Sequence, residues 1–324
     1  FALINPKNKN KLNINDECIL PALCWSTSLW PIVQAGLKPK FVDADIKTFN
    51  INLDDLERKI TKKTKAILAV HILGNSTNMK RLKSIANSNK LTLIEDTCES
   101  LGSKYSGKHL GTFGKFGTYS MYVSHQISSG EGGMIVCNDY NDYEIIHRLR
   151  AHGWDRGLKS KNKNNFNFVN SGFNLRPLDL TAAIGLSQFK RINNMSNIRQ
   201  KNRETIINAI KKSPKFNNQL EFLQPVKNLK PSWFGLPMLI NKKLLGKKKE
   251  YLSYLNKNGI ETRPIISGNF VNQPSIKLYN LNSSNEKFKH AQEIEDRGFF
   301  IGLHTEEIKK KEIDLLKNKL LNIK

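Results

Sequence analysis

Along the first half of the chain, short apolar runs alternate with amphipathic stretches. The spacing predicts strands over Cys18–Leu23 and Lys40–Val42, with a helix over Ser28–Ala35 between them. Asn52–Ile60 reads as a helix opened by Asn52 and acidic in its first turn. Ala66–Leu73 (AILAVHIL) reads as a buried strand, Asn78–Asn89 as a helix and Leu91–Glu95 as the next strand. Tyr119–Val123 and Met134–Cys137 are further strands, and Tyr143–Arg150 is a helix. Strands that alternate with helices in this way imply a mostly parallel sheet covered on both faces. Gly157–Asn170 is rich in Lys, Asn and Gly and reads as a surface loop. Pro177 opens a long helical pattern that continues to about Ile210. Beyond Leu220 the pattern offers strands (WFGLPMLI), a helix over Lys248–Asn256, a strand near Ile260–Ile266 and a helical tail. The expected organisation is a large α/β domain over 1–190 and a smaller α+β domain over 191–324.

Composition narrows the class. A chain of 324 residues with 39% hydrophobic and 25% charged residues fits a globular protein with a large core. No apolar run reaches the length of a membrane span, and no signal-peptide pattern opens the chain, so a cytoplasmic setting without membrane attachment is expected. The first residue is Phe1, which reads as a chain lacking its natural start. The net charge of +24 raises nucleic-acid binding, but Lys and Asn are abundant everywhere and no Arg-rich stripe interleaves with aromatics. The positive charge also suits an anionic small substrate. The four cysteines, Cys18, Cys24, Cys98 and Cys137, show neither zinc nor iron–sulfur spacing.

Three polar residues stand where open α/β sheets concentrate function, at the carboxyl ends of strands. Asp96 follows LTLIE, and Ser120 and His125 lie within and after TYSMYV. Singly, each has an ordinary reading: Asp96 as a cap or loop residue, and His125 as one of seven histidines, satisfied by local hydrogen bonds.

Their combination carries a resemblance. The stretch from Gly117 to Gly133, GTYSMYVSHQISSGEGG, is similar to the cofactor-lysine segment of DegT-type sugar aminotransferases, S-F-x-x-x-K-x-x-x-x-G-E-G-G. LIEDTCESLG resembles the I-E-D-x-A-x-A-x-G motif of the same family. Membership implies the aspartate-aminotransferase-like fold (fold type I) and pyridoxal phosphate (PLP). Here His125 replaces the Schiff-base lysine. Histidine cannot form that bond, but it carries protons near neutral pH. The replacement resembles the branch of PLP-dependent 3-dehydratases of nucleotide-linked 4-ketosugars. PALCWSTSLW, HILGNSTN, RAHGWDR and ETRPIISGNF each look like segments of the members acting on GDP-4-keto-6-deoxymannose.

The resemblance implies roles residue by residue. Asp96 would pair with the pyridine nitrogen and keep the ring an electron sink. Cys98 would lie beside the ring, and Glu99, where aminotransferases often have Gln, near the ring hydroxyl. Ser120 would bind the phosphate and Trp25 stack on the ring; core packing is an equally open reading of Trp25. Asn174, in SGFNLRP, would reach the phosphate of a neighbouring subunit's cofactor, which implies a homodimer with shared active sites; its local reading is a helix-entry turn. His152, Arg156 and Arg263 are candidates for the nucleotide-diphosphate ketosugar, with ordinary surface pairing as the competing reading.

The implied reaction removes the carbon-3 hydroxyl of a nucleotide-linked 4-keto-6-deoxyhexose. Pyridoxamine phosphate (PMP) would be the working cofactor form, glutamate the amino donor and His125 the proton carrier. The implied pathway is surface polysaccharide synthesis. A related branch carries a [2Fe–2S] cluster, but its cysteines would fall in Gly157–Phe173, which has none. Two departures stand out. Gln126 occupies the place of a second histidine, and no phosphate-gripping turn precedes Phe1, which implies weak cofactor binding by this chain alone. An aminotransferase, a non-catalytic nucleotide-sugar-binding paralogue and a basic nucleic-acid binder remain as alternatives.

Overall fold

The computed structural model describes residues 1–158, 166–282 and 285–323. The chain lays down β1 (Glu17–Pro21), α1 (Ser26–Gln34), β2 (Lys38–Val42), α2 (Leu53–Lys59), β3 (Thr64–Val70), α3 (Met79–Ser88) and β4 (Thr92–Asp96). A small hairpin, β5 (Lys104–Tyr105) and β6 (Lys108–His109), precedes β7 (Phe116–Ser120) and β8 (Gly133–Cys137). These build a six-stranded sheet in the order β2-β1-β3-β4-β7-β8, parallel except for the antiparallel β7–β8 pair. The apolar runs are buried on both sides. Cys18, Leu20, Ala66, Leu68 and Val70 join one apolar cluster, while Ile19, Ile67 and Ala69 join another with Leu56, Met79 and Leu82 of α2 and α3.

After α4 (Tyr140–Arg150) come α5 (Asp179–Phe189) and α6 (Ile192–Lys211). The second half then forms β9 (Leu220–Phe222), β10 (Leu229–Lys230), β11 (Gly235–Ile240), α7 (Lys248–Lys257), β12 (Thr262–Arg263), α8 (Pro274–Leu278), α9 (Lys289–Arg297), β13 (Gly298–Gly302) and α10 (Lys310–Leu320). Its sheet is antiparallel in the order β12-β13-β11-β9, while β10 returns to pair with β5. Among the described residues, no helix is long and apolar enough to cross a membrane.

The structure corrects the expected elements in five places. The long helix from Pro177 is two helices, beginning at Asp179 and divided at Lys190–Arg191. The strand after Thr64 stops at Val70, because Leu73 turns to a positive φ of 53°. The strand expected over Tyr119–Val123 ends at Ser120. The strand near Ile260–Ile266 is only Thr262–Arg263, and the expected helical tail contains β13. The loop expected over Gly157–Asn170 lies partly, at 159–165, outside the described residues.

Register delivers the functional edge. Val70 pairs with Asp96, and Asp96 with Thr118, so β3, β4 and β7 end side by side. Side chains alternate along a strand, so Glu95 and Asp96 point to opposite faces. Glu95 is fully buried. One carboxylate oxygen accepts from the backbone N–H of Gly111 at 2.8 Å and meets His71 Nε2 at 3.0 Å; the other accepts from Phe113 and Gly114 at 2.6 and 2.7 Å. Burial alone would raise this carboxyl, but the His71 contact and the backbone N–H groups outweigh it and hold its pKa below the ordinary value. Ser76 Oγ lies 3.2 Å from His71 Nδ1. A ring protonated on Nε2 therefore donates to Glu95 and accepts from Ser76. Gly117 must be glycine here, since a Cβ would lie 1.9 Å from the Gly111 carbonyl.

Candidate active site

Asp96 occupies the end of β4. Its Oδ2 accepts from the Ser28 hydroxyl on α1 at 2.7 Å, and its Oδ1 from the Cys98 backbone N–H at 3.2 Å. Two donors lock the carboxylate in place. Beside it stands Cys98, whose Sγ lies 3.9 Å from Thr118 Oγ1. Burial and then the Asp96 charge push the Cys24 and Cys98 thiols well up, so both are neutral.

His125 sits in the turn after β7, its N–H donating to the Tyr122 carbonyl at 2.9 Å. Its ring packs edge-on against Tyr122 and Phe234, with centroids 5.8 and 5.4 Å apart. Nδ1 is buried with no hydrogen-bond partner among the described residues. Burial lowers the pKa of this imidazole against the Asp96 charge, the Cys98 backbone, the Glu131 charge and the Ser120 backbone, which all favour the charged ring. It is therefore a neutral base near pH 7 with an uncommitted nitrogen.

Glu99 Oε2 accepts from the Leu73 N–H at 2.9 Å. Burial, assisted by the Asp96 charge, pushes its carboxyl up to about 7 despite that bond. The consequence for stability has a definite sign. Between pH 4.5, the ordinary value, and about 7, the folded chain binds the extra proton, so stability falls as pH rises through this window. Replacing Glu99 by Gln removes the loss. Urea unfolding is expected to show the variant more stable than the parent by about 1–3 kcal/mol at pH 8 and nearly equal at pH 4.5. A difference that is the same at both pH values would show that folding leaves the Glu99 carboxyl at its ordinary value.

Trp25 stands at the N-terminus of α1 and is 53% exposed. Its loop is tied to the second half of the chain: the Ser267 hydroxyl donates to the Cys24 carbonyl at 2.6 Å, and the Phe270 N–H to Ala22 at 2.8 Å. Ser120 ends β7, and its Oγ accepts from the Tyr122 N–H at 3.2 Å. Trp25, Asp96, Cys98, Glu99, Ser120 and His125 thus share one edge of the sheet.

The remaining candidates lie elsewhere. Asn174 is exposed and bridges to Ala151, beside His152, whose N–H donates to the Phe173 carbonyl at 2.9 Å. The Arg156 guanidinium lies 5.1 Å from the Trp154 ring centre. Arg263 is exposed and paired with Glu261 at 2.5 Å. Sequence reasoning missed Ser28, Phe234 and the Leu73 N–H. Only the fold brings Ser28 to Asp96 and Phe234 to His125; a serine in the first turn of a helix and an aromatic in a strand-like run carry no local mark of such roles.

This edge, with a locked carboxylate facing an uncommitted imidazole, belongs to an enzyme-like α/β scaffold, and the chain is a member of the DegT/DnrJ/EryC1/StrS aminotransferase family, matched over residues 7–320. It is 38% identical over 323 residues to the GDP-4-keto-6-deoxy-D-mannose 3-dehydratase of Escherichia coli O55:H7, covering 96% of this chain and 81% of that protein. A crystal structure of a GDP-4-keto-6-deoxymannose-3-dehydratase, a histidine-to-asparagine mutant with bound GDP-perosamine, superposes with a TM-score of 0.89 at 37% identity, covering 98% of this chain and 83% of that one. Another structure of a protein with that name, holding a trapped PLP-glutamate geminal diamine, gives 0.86 at 36% identity, with the same coverage. The fold is that of the aspartate-aminotransferase-like enzymes, as the sequence implied.

Proposed function

We propose that this chain is a PLP/PMP-dependent 3-dehydratase that removes the carbon-3 hydroxyl of a nucleotide-linked 4-keto-6-deoxyhexose, with GDP-4-keto-6-deoxymannose as the substrate. The observation that carries the reading is His125: an imidazole with a free nitrogen at the position of the family's lysine, beside Asp96. The residues fit the cofactor. Asp96 is a fixed carboxylate for a pyridinium nitrogen, Trp25 offers an open aromatic face, Glu99 and Cys98 border the same space, and Ser120 supplies a hydroxyl for the phosphate. When bound, the group supplies an electron-accepting ring.

The chain's own residues do the rest. Asp96, held by its two donors, presents its carboxylate toward where the ring nitrogen would lie. His125, neutral and half-buried, is the group at this edge that would accept a proton and return it to the departing hydroxyl. The absence of a lysine at this position leaves the amine form of the cofactor free, and glutamate, seen with PLP in the related structure, is the amino donor.

The working unit we propose is a homodimer. Leu180, Leu186 and Phe189 of α5 are exposed, as are Met134 and Ile135 of β8, apolar side chains that a partner surface would cover. Asn174, exposed and bridged to Ala151, is the residue we propose to reach a second copy's phosphate site. His152, Arg156 and Arg263 remain the candidates for the nucleotide-sugar, and the division into a large domain over 1–190 and a small one over 191–324 assigns one main sheet to each.

The test supplies PLP, glutamate and GDP-4-keto-6-deoxymannose and weighs the sugar product. A product lighter by one oxygen is expected. Nitrogen in place of the keto oxygen would make the chain an aminotransferase, and an unchanged sugar would overturn the substrate assignment.

A further inference from the structure

Gln126, the neighbour of His125, stands where the resemblance places a second imidazole. It is 1% exposed. Its Nε2 donates to the Glu99 carbonyl and, at 3.3 Å, to the Ser232 carbonyl. Its own backbone carbonyl accepts from both terminal nitrogens of Arg199 on α6, at 3.3 Å each, and Arg199 Nε donates to the Leu303 carbonyl at 3.4 Å. Position 126 therefore ties the turn carrying His125 to three separate segments, the one after β4, the one before β11 and α6, and through Arg199 to the one after β13. Phe234, two residues beyond Ser232, packs edge-on against the His125 ring, so the same tie sets the wall against which the imidazole rests.

The chemistry of the tie selects an amide. Two carbonyl oxygens converge on one side-chain end. A primary amide has two hydrogens and satisfies both, whereas a neutral imidazole has one and a carboxylate has none. The Oε1 of Gln126 has no donor among the described residues, so the donors alone orient the amide. Burial also keeps this side chain away from any proton bound for substrate.

We propose that Gln126 is a positioning residue that fixes the His125 imidazole; this rests on His125 being the proton carrier. The test compares Gln126→Met, of similar length but without donors, and Gln126→His, with one donor fewer, against the full-length parent. Two readouts are taken: steady-state kinetics, and the titration of the His125 ring by NMR, assigned by the signal missing in His125→Asn. Asp96 and Glu131 face the ring from β4 and from the turn before β8, with Glu99 close to Asp96, and all three are unchanged in these variants.

For Gln126→Met we expect kcat to fall about tenfold or more, KM for the ketosugar to stay within about twofold, and the His125 titration midpoint to move. Gln126→His is expected to fall between Met and the parent on both readouts. Parental kcat and an unmoved titration in the Met variant would overturn the proposal. So would a lower melting temperature with parental kcat per folded molecule, which is a structural role only. If the parent itself yields no dehydrated sugar, the functional reading fails, while the NMR titration still decides whether Gln126 sets the ring.

Discussion

Replacing His125 by Asn is expected to lower dehydration by about a thousandfold, the loss typical of a positioned general base or acid, and to leave the fold intact. Both halves follow from the geometry. The uncommitted Nδ1 makes no hydrogen bond that folding depends on among the described residues, so its removal orphans no partner. What the fold loses is the edge-on packing against Tyr122 and Phe234, about 1 kcal/mol for such ring pairs. What the reaction loses is the one neutral base at the lysine position, since the neighbouring thiols are held protonated and Asp96 is already committed to two donors. The checks are a single-turnover assay of deoxygenated sugar and a near-ultraviolet circular dichroism spectrum. Product at more than a tenth of the parental rate with an unchanged spectrum would take His125 out of the mechanism.

The second large effect concerns stability. Glu95→Ala removes the acceptor for three backbone N–H groups, that of buried Gly111 and those of half-buried Phe113 and Gly114, and the partner of His71. Each orphaned buried donor costs about 1–3 kcal/mol and two of these three are only half-buried, so the substitution is expected to cost about 3–6 kcal/mol in all. That is a large share of the roughly 5–15 kcal/mol that holds a typical domain folded. Glu95→Gln keeps one acceptor oxygen and is expected to lose about half as much. Urea midpoints of the two variants decide it. A loss below about 1 kcal/mol in Glu95→Ala would mean that water replaces the carboxylate. The effect reaches the active site, since Glu95 adjoins Asp96 and His71 N donates to the Asp96 carbonyl at 2.9 Å.

Much of the first sheet was legible from the chain alone. The runs around Ile19, Ile67 and Leu93 are buried on both faces, and so read as parallel strands by their apolar density. Asp96, Ser120 and His125 could be placed at strand ends for the same reason. The second half was less legible. GFFIG of β13 is flanked by a Lys- and Glu-rich helix on one side and a polar loop on the other, and becomes a strand because β11 and β12 pair with it on both edges. No Gly or Pro marks the break between α5 and α6 at Lys190–Arg191, where the helical pattern runs on. TYSMYV keeps its alternation to Val123, yet the ladder with β8 ends at Ser120. The partners that tune the site, Ser28, Gln126, Arg199 and Phe234, are set by contacts between distant segments, which local pattern does not report.

Helix α5 has eleven residues, of which only Gly185 is buried. A helix of that length is marginal in water without tertiary support. Whatever covers its apolar side chains thus shares in the folding equilibrium itself. In the homodimer proposed above, where a second copy is that cover, mass action makes the thermal midpoint climb with protein concentration, so dilution acts on this molecule much as mild heating would.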